Sequence, residues 1–257
     1  MSGTTHNPPR TAVVTGANKG IGRAVTRALA VLGHRVYLGA RDQDRGLAAE
    51  RELRAEGLDV RCLHLDVTDE AVVERAAKRV EEESGHLDAL VNNAGVGGPV
   101  TLPSRTPPAE VRRTYETNVF GVIAVTNAML PMLRRAPAGR IVNVSSVLGS
   151  LTHAAARQDP TGAFPAGVFP TLLDYNTSKA ALNAVTVTYA NELRDTRILV
   201  NAVSPGFVAT DINGHQGVLT PAEGARIPVL LATLGEDGPT ATFVGEDSTP
   251  TGRQLSW

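Results

Sequence analysis

A glycine-rich turn set between a β-branched run and an apolar helix face constrains this chain more than any other feature. Thr11 to Thr15 reads T-A-V-V-T and breaks into Gly16-Ala17-Asn18-Lys19-Gly20-Ile21-Gly22. After the break, Ile21, Ala24, Val25, Ala28, Leu29 and Leu32 recur at three and four residues, one face of a helix that ends at Gly33. Glycines at such a junction let the backbone turn tightly and approach a ligand. The helix start adds free N–H groups and the positive end of the helix dipole. That combination suits a pyrophosphate.

The rest of the chain repeats the strand-then-helix alternation. A second strand spans Arg35 to Ala40, followed by a charged helix around Gln43 to Glu56 and a third strand from Val60 to Leu65, ending at Asp66. Helix Asp69 to Ser84 is amphipathic through Val72, Val73, Ala76, Ala77 and Val80, and leads to strand Leu87 to Val91 and the turn Asn92-Asn93-Ala94-Gly95. A proline-rich loop, Pro99 to Pro108, feeds a long helix from Ala109 to Leu133, which Pro131 is expected to bend. Strand Arg140 to Ser145, an irregular stretch Val147 to Leu173, a helix containing Tyr175, strand Ile198 to Val203 and a loop Ser204 to Leu219 follow. Thr220-Pro221-Ala222-Glu223 reads as a capping box with proline at the first helical position, and a closing strand near Ala241 to Val244 precedes a polar tail. Alternation at this spacing implies βαβ units and a parallel sheet. With no linker, repeat or low-complexity block, residues 11–257 read as a single α/β domain behind a flexible tail, residues 1–10.

Composition excludes several functions. The 25 basic and 26 acidic residues leave no cationic excess for nucleic acid or an anionic membrane. No apolar run approaches the length of a membrane span. The single cysteine, Cys62, has no partner for an internal disulfide, which favours a reducing, cytoplasmic setting. The histidines stand singly, none at metal-ligand spacing, so no metal site is expected.

In Asp174-Tyr175-Asn176-Thr177-Ser178-Lys179 a phenol and an ammonium stand four residues apart, on one helix face. An ammonium beside a phenol stabilises the phenolate, by about 1.4 kcal/mol for each pKa unit lowered. Such a pair is suited to passing a proton to or from a substrate oxygen.

With these elements placed, the sequence resembles the short-chain dehydrogenase/reductase family from about Thr11 to Val244. The resemblance rests on T-G-A-N-K-G-I-G at 15–22, D-V at 66–67, N-N-A-G at 92–95, Asn118, V-N-V-S-S at 142–146, Y-N-T-S-K at 175–179 and P-G-F-V-A-T at 205–210, in that order. It implies a Rossmann-like, doubly wound sheet of seven parallel strands with helices on both faces and a dinucleotide at the strands' carboxyl ends. Gly16, Gly20 and Gly22 would line the pyrophosphate, Asp66 and Val67 the adenine, Asn93 and Gly95 the adjoining ribose, with Asn18, Lys19, Ile21 and Ala94 also binding the cofactor. Thr210 would hold the nicotinamide end, with Pro205, Gly206 and Val208 also binding the cofactor. By the same resemblance Tyr175 is the general acid of carbonyl reduction, and Lys179 eases its ionisation and holds the nicotinamide ribose. Ser146 donates a second hydrogen bond to the substrate oxygen, Ser145 being structural, and Asn118 holds a water that relays protons. For the Asn92-Asn93 turn, bracing without ligand contact is an equal alternative.

Members that use NAD carry an acid at the end of the second strand; here Ala40 and Arg41 stand there, and Lys19 lies in the glycine loop. These cations point to NADP(H), although Asp42 offers Arg41 a partner. The stretch 147–174 is longer than in many members. Its prolines at 160, 165 and 170 exclude a long helix and suggest a loop fixed over the site mouth. His153 in this loop reads as a packing or surface residue. Together with Arg41, the K-G-I-G loop and D-G-P-T-A-T-F at 237–243, this loop resembles the carbonyl-reductase branch. The expectation is an NADPH-dependent reductase of ketones or aldehydes with an apolar substrate, monomeric rather than homo-oligomeric. A dedicated biosynthetic ketoreductase or secondary-alcohol dehydrogenase is the alternative, and a non-catalytic dinucleotide sensor the remote one.

Overall fold

The computed structural model describes residues 9–162, 164 and 167–257. The expected tail is therefore represented by Pro9 and Arg10 alone, and Pro165 also lies outside the described residues.

Seven parallel strands and one antiparallel strand form a single sheet. They are β1 (Thr11–Val14), β2 (Arg35–Ala40), β3 (Val60–His64), β4 (Ala89–Asn92), β5 (Arg140–Val144), β6 (Leu199–Ser204), β7 (Phe243–Gly245) and β8 (Arg253–Gln254). Their order across the sheet is β3-β2-β1-β4-β5-β6-β7-β8. β1 pairs with β2 on one side and β4 on the other, so the direction of winding reverses between β1 and β4. Ligands of open α/β sheets sit outside the carboxyl ends of the strands at such a reversal. The glycine turn lies directly there.

Helices cover both faces, as strands that read almost wholly apolar require. On one face α1 (Gly20–Val31) packs with α2 (Gln43–Ala55), α8 (Pro221–Gly224) and α9 (Arg226–Ala232) over Val14, Val36, Leu38, Val91 and Val203. On the other, α3 (Glu70–Ser84), α5 (Gly121–Leu133) and α7 (Leu173–Glu192) cover Val13, Tyr37, Leu63, Leu90, Ile141 and Val200. Asp69 accepts the Val72 amide at the start of α3, and Thr220 with Glu223 forms the expected reciprocal cap on α8.

Four expectations need correction. The long helix is three pieces: α4 (Pro108–Tyr115), a π-helical turn at Glu116–Phe120, and α5, which continues past Pro131 to Leu133. The π turn carries Asn118, and the extra residue per turn rotates that side chain inward, where it is fully buried. Residues 147–173 are less irregular than the prolines suggest, since Val147–Gly149 forms a 3-10 turn and α6 spans Leu151–Ala156. The closing strand is Phe243–Gly245, starting two residues later than expected, after Ala241 takes a left-handed backbone (φ 56°). Finally, the polar tail supplies the eighth strand. β8 pairs with β7 through Gly245 and Arg253, and places Leu255 and Trp257 against Phe243, the two rings stacked at 5.5 Å.

That last packing is testable. Truncating a buried leucine loses transfer free energy and leaves a cavity, so Leu255→Ala should cost about 2 kcal/mol in urea unfolding. An unchanged midpoint would mean that the tail carries no packing load.

Candidate active site

The glycine turn is built to come close to its neighbours. Gly16 and Gly20 have positive φ, 61° and 56°. A Cβ on Gly22 would lie 2.4 Å from Asn93 Nδ2 and 2.6 Å from the Gly16 oxygen, so no other residue fits. Asn93 is the brace that holds this turn to the end of β4. Its side-chain amide donates to the carbonyls of Thr15 and Gly16 at 2.9 and 3.1 Å. Thr15 Oγ1 accepts the amides of Asn93 and Ala94, each at 2.9 Å. Lys19 stands at the start of α1 without capping it, and the first turn of α1 holds no acid. The first amides of a twelve-residue helix thus lie at the strands' carboxyl ends with no side chain among the described residues capping them. Such an end suits an anionic diphosphate.

The rim residues fall around this turn. Arg41 is exposed at the end of β2. Asp42 caps α2 by accepting the Arg45 amide at 3.0 Å and pairs with the Arg45 guanidinium at 3.3 Å, so its carboxylate is engaged by α2. Asp66 accepts the amide and hydroxyl of Thr68, and Val67 is buried against Gly121. Gly95 is exposed, between Asn118 and Lys179. Pro205 and Val208 are buried, Gly206 turns the chain with a φ of 82°, and the Thr210 methyl lies over Gly20. Asn18 and Ile21 are half-buried in the loop, Ile21 against the core. One contact had no signal in the sequence: the Lys19 ammonium pairs with Asp211, which also meets His215 at 2.8 Å. The glycine loop and the 210–215 segment are thereby bridged across the cleft.

Tyr175, Lys179, Ser146 and Asn118 converge beside it. Lys179 donates to the Val144 carbonyl at 2.8 Å, and its Nζ lies 5.6 Å from the centre of the Tyr175 ring. The two adjacent serines follow the last residue of β5 and have different partners. Ser145 is buried and donates to Asn183 Oδ1 at 2.6 Å, whereas Ser146 is half-buried, accepts the Leu148 amide at 3.2 Å and has its hydroxyl near the Tyr175 phenol. Asn118 accepts the Val96 amide and donates to the Val96 carbonyl, both at 2.9 Å, and donates to Ser178 Oγ at 3.0 Å. The loop before α7 is anchored by its aromatic residues: Phe169 is buried and Phe164 packs on Phe207 at 5.5 Å. His153 sits half-buried, with Nε2 lacking a hydrogen-bond partner among the described residues.

The short chain dehydrogenase family model matches residues 10–157 and 166–217. Human carbonyl reductase (NADPH) 1 is 36% identical over 271 residues, covering 91% of this chain and 95% of its own. The (+)-neomenthol dehydrogenase of Arabidopsis thaliana is 35% identical over 284 residues, again 91% of this chain and 95% of that one. Among solved structures, NADPH-bound carbonyl reductase from chicken fatty liver superposes with a TM-score of 0.81 at 26% identity. It covers 98% of this chain and all of that one.

The electrostatics of the pair run against the simple expectation that the ammonium lowers the phenol. Burial pushes the Tyr175 phenol up to about 12, offset in part by the Ser146 hydroxyl. Burial also brings Lys179 down to about 8. The reason is geometric: the buried ammonium addresses the Val144 carbonyl and the face of the half-buried ring. A stability signature follows. The unfolded chain keeps the lysine proton to its ordinary 10.5 and the folded chain gives it up near 8, so between those values the unfolded state binds more protons. Stability rises with pH there, by about 2 kcal/mol from pH 8 to 10. Above pH 10 the raised tyrosine works in the opposite sense, because the unfolded phenol ionises first. Unfolding titrations of wild type and Lys179→Met should differ by this slope. Parallel curves would refute a buried, depressed lysine.

Proposed function

The chain belongs to the short-chain dehydrogenase/reductase family, and on that premise we propose that Tyr175 is the proton donor in an NADPH-dependent reduction of a ketone or aldehyde to an alcohol. The observation that carries the reading is the half-buried Tyr175 ring beside the buried Lys179 ammonium, with the Ser146 hydroxyl near the phenol, set beside a helix start without a side-chain cap from its N-cap residue at the sheet's reversal point.

The glycine loop, Asn93 to Gly95 and the 205–210 segment would hold NADPH, which supplies the hydride. The protein supplies position and a proton. A phenol held near 12 is protonated at neutral pH and is therefore a proton donor to a carbonyl oxygen that is becoming an alkoxide. Ser146 adds a second donor to that oxygen, where negative charge gathers in the transition state. Lys179, with a pKa near 8, is positioned to limit the cost of the transient phenolate. Asn118 keeps Val96 and Ser178 in register beside the lysine, and the family's proton-relay role for it remains part of this proposal.

The preference for NADPH rests on Arg41. Its neighbour Asp42 is committed to the start of α2, and no ion pair of Arg41 within 4 Å occurs among the described residues. Lys19 contributes less, since Asp211 competes for it. An apolar substrate is supported by Ile212, half-exposed and close to Gly97 beside the Tyr175 ring. A monomer in a reducing compartment is the state we propose, on the length of the 147–174 segment and the buried free thiol of Cys62. No helix among the described residues is long and apolar enough to cross a membrane.

Two measurements test the assignment. A charge-assisted hydrogen bond contributes about 1.5–3 kcal/mol, so kcat/KM should favour NADPH over NADH by at least about tenfold, and Arg41→Ala should erase most of that preference. Equal kcat/KM for the two cofactors would refute the reading. With aliphatic, aromatic, quinone and acyl-thioester carbonyls as a panel, Tyr175→Phe should lose turnover while still binding NADPH. Ser146→Ala should lose far more kcat than Ser145→Ala, and the reverse order would exchange their roles.

A further inference from the structure

Asp174, the residue before Tyr175, is buried to 2% exposure, and no basic group lies within 4 Å of its carboxylate among the described residues. One oxygen, Oδ2, accepts two hydrogen bonds from separate parts of the chain: the Gly98 amide at 2.7 Å, and the hydroxyl of Thr114, a fully buried residue of α4, at 2.8 Å. Its place in the first turn of α7, where no side chain caps the helix start, offsets part of the cost of burial through the helix dipole. The approach to Gly98 is so close that a Cβ there would stand 2.6 Å from Oδ2.

The segment this carboxylate holds is the wall of the site. Val96 is pinned through both backbone groups by Asn118, and Gly98 is pinned by Asp174. Between these anchors Gly97 lies against the Tyr175 ring, where a Cβ would be 3.5 Å from Cδ2 and 3.8 Å from Ile212 Cγ1. The carboxylate therefore sets the distance between this wall and the phenol carried by the next residue of α7.

We propose that Asp174 is a positioning residue: its carboxylate clamps residues 96–98 against Tyr175, and thereby fixes both the direction of the phenol and the width of the pocket that takes the carbonyl substrate. The inference rests on the assignment of Tyr175 as proton donor. It gives Gly98 a function as well, since only a residue without a side chain lets the clamp close.

Steady-state kinetics with the panel ketone turned over fastest, and fluorescence titration of NADPH without ketone, test the clamp. Asp174→Asn keeps an acceptor for both donors and should stay within about threefold of wild type. Asp174→Ala should raise the ketone KM and lower kcat, each by about tenfold, because a displacement on the order of 1 Å costs up to about a hundredfold. NADPH affinity should be unchanged. Thr114→Val removes one of the two bonds without changing size and should give an intermediate loss, which keeps the test open if the alanine variant fails to fold. Wild-type parameters in Asp174→Ala and Thr114→Val, beside an inactive Tyr175→Phe, would overturn the clamp alone. An NADPH affinity that falls in step with kcat/KM would also overturn it, as the sign of a general structural role. Full turnover in Tyr175→Phe would instead overturn the assignment of the proton donor, and the clamp with it.

Discussion

A lysine ammonium at 3% exposure gives a hydrogen bond to the carbonyl of Val144, and the geometry of the site depends on that bond. Val144 is the last residue of β5, and the strand ends there as Ser145 passes its amide to Val203. The end of the central strand thus anchors one side chain of α7, and the ring of Tyr175, one helical turn earlier, is held over the same point. Leaving a buried ammonium unpaired would cost several kcal/mol. The register of α7 along β5 is therefore as firmly specified as any strand pairing in the sheet.

A chain of buried polar groups supports that register. Asn92 donates to Thr126 on α5 and to Asn143 on the neighbouring strand, Asn143 donates to Thr186 on α7, and Thr186 returns its hydroxyl to the Leu182 carbonyl. Ser145 and Asn183 add a second tie half a strand further on. Apolar packing alone would tolerate small slides of α7 over the sheet, because dispersion has little directional preference. Hydrogen bonds in a dry interior do not, since each slide leaves a donor or acceptor unmet. In this way the same face that holds the core also sets the positions of Tyr175 and Lys179.

Much of this was legible in the sequence. Apolar strands separated by helices of regular length leave few arrangements other than a parallel sheet, and the glycine turn marked the edge where a ligand would lie. The choice of Ser146 over Ser145 rests on the family pattern and belongs to the proposed function. What escaped notice depends on contacts between residues far apart in the chain. β8 is a two-residue edge strand with both side chains exposed, so no apolar period announces it. The π turn at Asn118 leaves no compositional trace. Asp174 stood inside the most informative motif without a role, because its partners, Gly98 and Thr114, are 76 and 60 residues away. That burial is the largest influence on the phenol had no trace in the sequence. Sequence spacing gives proximity along a helix, and it does not tell how much water the pair has lost.

The bridge from Lys19 to Asp211 joins two exposed side chains, each more than half accessible to solvent. Charges in that position attract each other weakly, and salt weakens them further over a length of about 8 Å under physiological conditions. The ties that hold Lys179 and Asn118 are instead buried and directional. The separation of the cleft's two lips is therefore a dimension of the site that the surrounding electrolyte is able to tune, while the buried floor around Lys179 stays fixed.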